Sequence, residues 1–149
     1  MKKVLVGVDG SENSIRALDF ALDFSEKYNA ELTIVNVSES SAVAMAPPEF
    51  AAYTNDSSML VVAKDMHKLH EDLLQKAVEH AHENKPHVSI TSALRDGDPA
   101  SEIISLAKEG NFEIIVVGNH GVGKMKELLL GNISGKVAQS AGCTVVIVK

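Results

Sequence analysis

Three glycines, Gly118, Gly121 and Gly131, follow an apolar and β-branched run from Ile114 to Val117. Glycine admits positive φ and lets a ligand come close to the backbone. Directly after Gly131 stand Asn132, Ile133 and Ser134, and Asn and Ser are residues that suit the opening of a helix. A buried strand, a glycine loop and a fresh helix start leave backbone N–H groups without partners inside the helix. Such groups, with the helix dipole behind them, favour an anion, most often a phosphate. The run from Gly118 through His120, Gly121 and Gly123 to Lys124 and Met125 comes within one residue of the G-x-x-x-x-G-K-S/T nucleotide loop. Met125, however, stands where that loop needs a hydroxyl for magnesium, and the loop follows the fourth candidate strand, not an early one. The dinucleotide spacing G-x-G-x-x-G fails outright.

The remaining candidates have plain alternatives. His120, between two of the glycines, is within reach of a phosphate or is an exposed loop histidine. Asp9, after the first candidate strand, is a helix-capping turn residue, a ligand contact, or both. His67 with His70, and His80 with His82, lie on a helix with polar faces, but no third ligand accompanies either pair, so no metal site is expected. Lys124 and Lys126 read as a solvated face. Cys143 precedes an apolar strand and reads as a small packing residue. No Ser-His-Asp or Cys-His arrangement is visible, and no catalytic residue is assigned.

Composition narrows the partners. The chain has 149 residues, enough for one domain that buries about two thirds of the surface its unfolded form would expose. Its net charge of −6 gives no overall basic field for nucleic acid or anionic lipid, so a phosphate would have to be held by local dipoles. The single cysteine excludes an internal disulfide and fits a reducing compartment. Met1-Lys2-Lys3 begins like a signal peptide, but Asp9 and Glu12 interrupt the apolar region, and no run approaches a membrane span. A cytoplasmic protein is the expectation.

The elements that must position the glycine loop can be read in order. Val4 to Val8 predicts a strand covered on both faces, Asp9-Gly10-Ser11 a turn, and Ser11 the N-cap of a helix whose inner face is Ile15, Leu18, Ala21, Leu22 and Ser25. Residues 31 to 37 predict a second strand. Residues 38 to 57, with Pro47-Pro48, show no period and are expected to be a long loop, either a flap over a site or a poorly ordered insertion. A long helix is expected over 59 to 84, with Leu60, Ala63, Met66, Leu69, Leu73, Leu74, Ala77, Val78 and Ala81 on its apolar side. A third strand is expected over 87 to 94, then a helix with Asp98 as N-cap and Pro99 at its first position. Strand 114 to 117, helix 132 to 141 and strand 144 to 148 complete the chain. The alternation predicts a single doubly wound five-stranded parallel sheet, order 3-2-1-4-5, with helices on both faces. The turns after the first and fourth strands would then face one crevice at the point where the strand order reverses.

One spacing fits without forcing. Gly118-x2-Gly121-x9-Gly131, followed by Asn132, resembles the G-x2-G-x9-G-S/T signature of the ATP-binding branch of the universal stress protein family. The resemblance extends over nearly the whole chain: Val8-Asp9-Gly10-Ser11 after the opening strand, Asn36-Val37 where the family usually has His-Val, Gly97-Asp98-Pro99 at the third helix, and the closing strand. Asn132 stands where the signature has Ser or Thr, and Gly7 where the family commonly has proline. The resemblance implies an ATP site, with or without Mg2+. In it Asp9 would bond the ribose or adenine side, Gly7 and Val8 would line the base pocket, and Val37 would offer peptide groups to the adenine edge. Gly118 and Gly121 would let the backbone pass close to the ribose and phosphates, where His120 joins them by its position alone, and Gly131, Asn132, Ile133 and Ser134 would hold the phosphates with amides and side-chain donors. It also implies a two-fold homodimer through the last strand, Thr144, Val145, Val146, Ile147 and Val148. The functional expectation is a nucleotide-responsive regulatory or protective protein with at most slow ATP hydrolysis. The alternatives are a dimeric module of the same fold that binds no nucleotide, and an adenylating enzyme, against which the lack of a second substrate domain argues.

Overall fold

A computed structural model describes residues 2–40, 56–119 and 130–149. Along them run β1 (Lys3–Gly7), α1 (Glu12–Tyr28), β2 (Glu31–Ser38), α2 (Asp56–Asn84), β3 (Ile90–Asp96), α3 (Pro99–Glu109), β4 (Ile114–Gly118), α4 (Asn132–Ser140) and β5 (Thr144–Val148). The strands form one parallel sheet in the expected order, β3-β2-β1-β4-β5.

The apolar runs explain why the sheet is buried on both sides. In β1, Val4, Leu5 and Val6 are all fully buried, and alternation along the strand sends them to opposite faces. Val4 and Val6 pack with Val116 against Leu18, Ala21 and Leu22 of α1 and Leu74, Ala77 and Ala81 of α2. Leu5 packs with Ile115 and Val117 against Ala100, Ile103 and Ala107 of α3 and Val137 of α4. Local signals set the helix ends. The Ser11 hydroxyl accepts from the Ser14 amide at 3.2 Å, and α1 stops at Asn29, which adopts φ 50°. Asp98 caps α3, with Pro99 in its first turn.

Two elements depart from the sequence expectation. Helix α2 starts at Asp56, and its first half is not a core face: Leu60, Val61, Val62 and Leu69 are exposed. A helix of 29 residues is about 43 Å long, while the eight-residue β2 spans only about 26 Å, so the apolar stripe outruns the sheet beneath it. Strand β3 begins at Ile90 rather than at residue 87, because Lys85 to Val88 close a turn (Val88 N–H to Lys85 O, 3.1 Å) that tucks Val88 into the core. Of the expected loop, residues 41–55 lie outside the described residues.

Candidate functional site

The strand order reverses between β1 and β4, where doubly wound sheets open a crevice beyond the carboxyl ends of their strands. On the β1 side the chain leaves the sheet through Gly7, Val8 and Asp9. The Val8 N–H donates to Val35 O at 2.9 Å, and Val8 O accepts from Asn36 Nδ2 at 2.8 Å. The Asp9 N–H points to Ser14 Oγ at 3.3 Å. The Val8–Asp9 peptide is therefore held at its carbonyl by β2 and at its amide by α1. Asp9 Oδ1 accepts from the Ser11 amide at 2.9 Å, a side-chain turn of the kind Asp favours. That leaves Oδ2 without a bond from any described residue, so the turn role and a ligand role are compatible. Gly10 completes the turn at φ 82°, and a Cβ there would lie 2.8 Å from Leu73 of α2. Gly7 has no positive φ; its bare Cα lets Ile103 of α3 come close, with an added Cβ 3.1 Å from Ile103 Cδ1.

Strand β2 runs on past β1. Their last partners are Gly7 and Val35, while β2 stays paired with β3 as far as Ser38 and Asp96. Alternate residues of a strand turn their peptide groups to opposite neighbours. Val35 O bonds toward β1 and Ser38 O toward β3, so the N–H and C=O of Val37 turn to the β1 side, beyond where β1 ends. No described residue bonds them. Val37 itself is buried, so this edge is a donor and acceptor pair on an apolar floor.

On the β4 side the chain passes Gly118 to Asn119. A Cβ on Gly118 would lie 2.8 Å from the Asn13 carbonyl carbon and 2.9 Å from its oxygen, so the bare Cα of this glycine admits the first turn of α1. Asn119 O then accepts from the Gly131 amide at 2.9 Å and from Ser134 Oγ at 2.9 Å, which fixes the start of α4 against the end of β4. Gly131, not Asn132, is the N-cap, and no side chain caps the helix. Asn132 is the first helical residue and is exposed. The first amide to bond within the helix is that of Gly135, to Gly131 O at 2.8 Å. The N–H groups of Asn132, Ile133 and Ser134 have no acceptor among the described residues. The Ser134 hydroxyl, expected to reach phosphate, is buried and turned inward to Asn119 O and Gly131 O; only its amide remains for an anion. His120 and Gly121, like Lys124 and Lys126, lie outside the described residues.

Lys136 of α4 approaches Asp98 at 3.8 Å, and the Asp98 carboxyl is held below its ordinary value, first by the Ser101 hydroxyl and amide and then by Lys136. Cys143 packs against the α3–α4 side of the core, and burial pushes its thiol up. Among the described residues no group of three or more His, Cys, Asp and Glu is placed to hold a metal ion. His67 meets Glu71 and His80 meets Asp19 instead.

Two residues linked to the β1 turn were given no role in the site from sequence. Asn36 is fully buried, and its Oδ1 meets His70 Nδ1 of α2 at 2.6 Å. A polar residue inside the apolar run of β2 must find partners, and His70 lies in line with Leu74, Ala77 and Ala81 at helical spacing. Those two signals, taken together, mark the pair.

A sequence profile described as the universal stress protein family matches residues 1–149. A universal stress protein of Bacillus subtilis, YxiE, is 34% identical over 147 residues, covering 99% of this chain and 98% of that relative. UspA from Lactobacillus plantarum superposes with a TM-score of 0.83 at 20% identity, covering 99% of this chain and 97% of that one. A universal stress protein crystallised in complex with cAMP superposes with a TM-score of 0.67 at 26% identity, covering 99% and 96%.

Proposed function

Since this chain belongs to the universal stress protein family, we propose that it binds ATP, with or without Mg2+, at the crevice between β1 and β4. The reading is of a cytoplasmic, nucleotide-responsive regulatory or protective homodimer with little or no turnover. The observation that carries the binding is the uncapped start of α4, whose amides at Asn132, Ile133 and Ser134 form a ready site for phosphate oxygens. Val37 would meet the adenine edge with one donor and one acceptor, Gly7 and Val8 would line the base, and Asp9 Oδ2 would take ribose hydroxyls. Gly118, His120, Gly121 and Gly131 would carry the chain along the ribose and phosphates. The cAMP-bound relative supports an adenine nucleotide as the ligand class. Dimerisation would use β5, an edge strand whose Val145 to Val148 are only half-buried.

Asn132→Pro tests the phosphate grip directly. Proline suits the first helical position, and Gly131 already has the extended backbone (φ −61°, ψ 159°) that a residue before proline needs. The substitution removes one amide donor while sparing the helix. ATP affinity, read by calorimetry, should fall about tenfold in Asn132→Pro and change little in Asn132→Ala. Equal affinities in both variants would remove the amide grip from the reading. Asn132, in place of Ser or Thr, also favours a second reading, a module of this fold without nucleotide. Denaturing the purified protein and finding no released adenine nucleotide, with no rise of Tm on adding ATP and magnesium, would select it.

A further inference from the structure

The Val8–Asp9 peptide is oriented by a chain of side chains that begins outside the crevice, on α2. Val8 O is a carbonyl and only accepts, so the Asn36 atom 2.8 Å from it must be the Nδ2 donor. That fixes the Asn36 amide, and its Oδ1 then faces His70 Nδ1 at 2.6 Å as an acceptor. His70 Nδ1 must therefore carry a proton. Asn36 is fully buried, so neither bond can be exchanged for one to water without opening the core. One turn further along α2, Leu73 lies against Gly10. Helix α2 thus reaches the β1 turn by two routes, a polar one through Asn36 of β2 and an apolar one directly at Gly10. The Asp9 amide is meanwhile held by Ser14 from α1.

We propose that His70 is a positioning residue for nucleotide recognition: through Asn36 it holds the Val8–Asp9 peptide in the orientation that presents the Asp9 carboxylate to the ligand. His70 itself touches no ligand in this scheme. Without the Nδ1 donor, Asn36 Oδ1 is a buried acceptor left unpaired, and the amide can satisfy it only by turning, which withdraws Nδ2 from Val8 O. The peptide plane then loses its carbonyl anchor, and Asp9 loses its fixed direction. The inference rests on the nucleotide reading for its functional consequence, but its structural core holds in the ligand-free protein.

The test uses His70→Phe, which keeps a ring and removes the donor, and His70→Asn, whose Nδ2 can replace Nδ1. Two readouts are needed. In the ligand-free protein, hydrogen exchange at the Asp9 amide should speed up about tenfold in His70→Phe and return close to wild type in His70→Asn. With AMP and ATP as probes, His70→Phe should weaken both about tenfold, and His70→Asn should recover most of the loss. Unchanged Asp9 exchange in His70→Phe would overturn the inference whatever the ligand data. Changed exchange with undiminished nucleotide affinity would also overturn it, because Asp9 would then be loosened without consequence. Equal losses in both variants would reduce His70 to a packing residue. A wild type that binds neither AMP nor ATP would overturn the nucleotide reading alone, and the exchange data would still decide whether His70 holds the peptide.

Discussion

Gly118→Ala separates what a motif glycine does for the fold from what it does for a ligand. The family resemblance implies that Gly118 lets the backbone approach a nucleotide, which predicts no cost in the ligand-free protein. The structure places something else against it. An added Cβ would stand 2.8 Å from Asn13 C, 2.9 Å from Asn13 O and 3.0 Å from Asn13 Cβ. Carbon pairs rest at about 3.5–4.0 Å, so the overlap is about 0.7 Å or more. Two of those atoms are backbone in the first turn of α1, and no rotamer change can clear them. Either α1 or the end of β4 must move by several tenths of an ångström. Overpacking of this kind costs about 1–3 kcal/mol. For a chain of this length each kcal/mol shifts Tm by about 2–4 °C, so a fall of about 2–12 °C is expected. Calorimetric melting of nucleotide-free Gly118→Ala checks it. An unchanged Tm would refute the reasoning and return Gly118 to a ligand-approach role.

Two further outcomes follow from named contacts. Asp98→Ala removes the cap that accepts from Ser101 N at 3.0 Å and Ser101 Oγ at 2.7 Å, and should cost about 1 kcal/mol at neutral pH. Because the folded Asp98 sits below its ordinary value of 3.8, its contribution is complete above that value and is lost as pH falls through the lowered one. Urea denaturation from neutral to strongly acid pH should show wild type and Asp98→Ala converging, and a constant gap would contradict the capping account. For β5, Thr144 N and Val148 O bond the β4 side, so Val145 and Ile147 turn their peptide groups outward. Ile147→Pro then removes an outward N–H and no ladder bond to β4. Light scattering after size exclusion should give a dimer for wild type and a monomer for Ile147→Pro, and a monomeric wild type would sink the edge-strand interface.

The sheet was legible because its signals are local and redundant. Apolar runs at 4 to 8, 31 to 37 and 114 to 117 are bounded by turn residues, and a strand-helix alternation leaves few allowed topologies. Caps read equally well, since Ser11 and Asp98 act on amides three residues away. What failed is what depends on the length of a partner. Leu60 and Leu69 continue the apolar period of α2, but periodicity reports how side chains line up and not whether a sheet lies opposite. The direction of the Ser134 hydroxyl was hidden for a related reason: a hydroxyl beside a candidate phosphate site has two directions open to it, and Asn119 O takes it inward.

The glycine spacing carries the deepest ambiguity, because one pattern can be selected by two physical demands. Gly118 and Gly131 bracket the crevice, yet the contact at Gly118 is with α1, and Gly131 offers no side chain to cap α4. An absent side chain at 118 lets α1 dock close enough for Ser14 to hold the Asp9 amide. An absent cap at 131 leaves the α4 amides open. In the proposed site the two glycines would therefore serve a ligand indirectly, one by placing the β1 turn and the other by leaving donors unclaimed. Spacing alone cannot distinguish this from direct contact, since both require glycine at the same positions. The distinction lies in Asn13 and Asn119, the chain's own groups that meet these glycines, and it is why stability without nucleotide is the more informative measurement at Gly118.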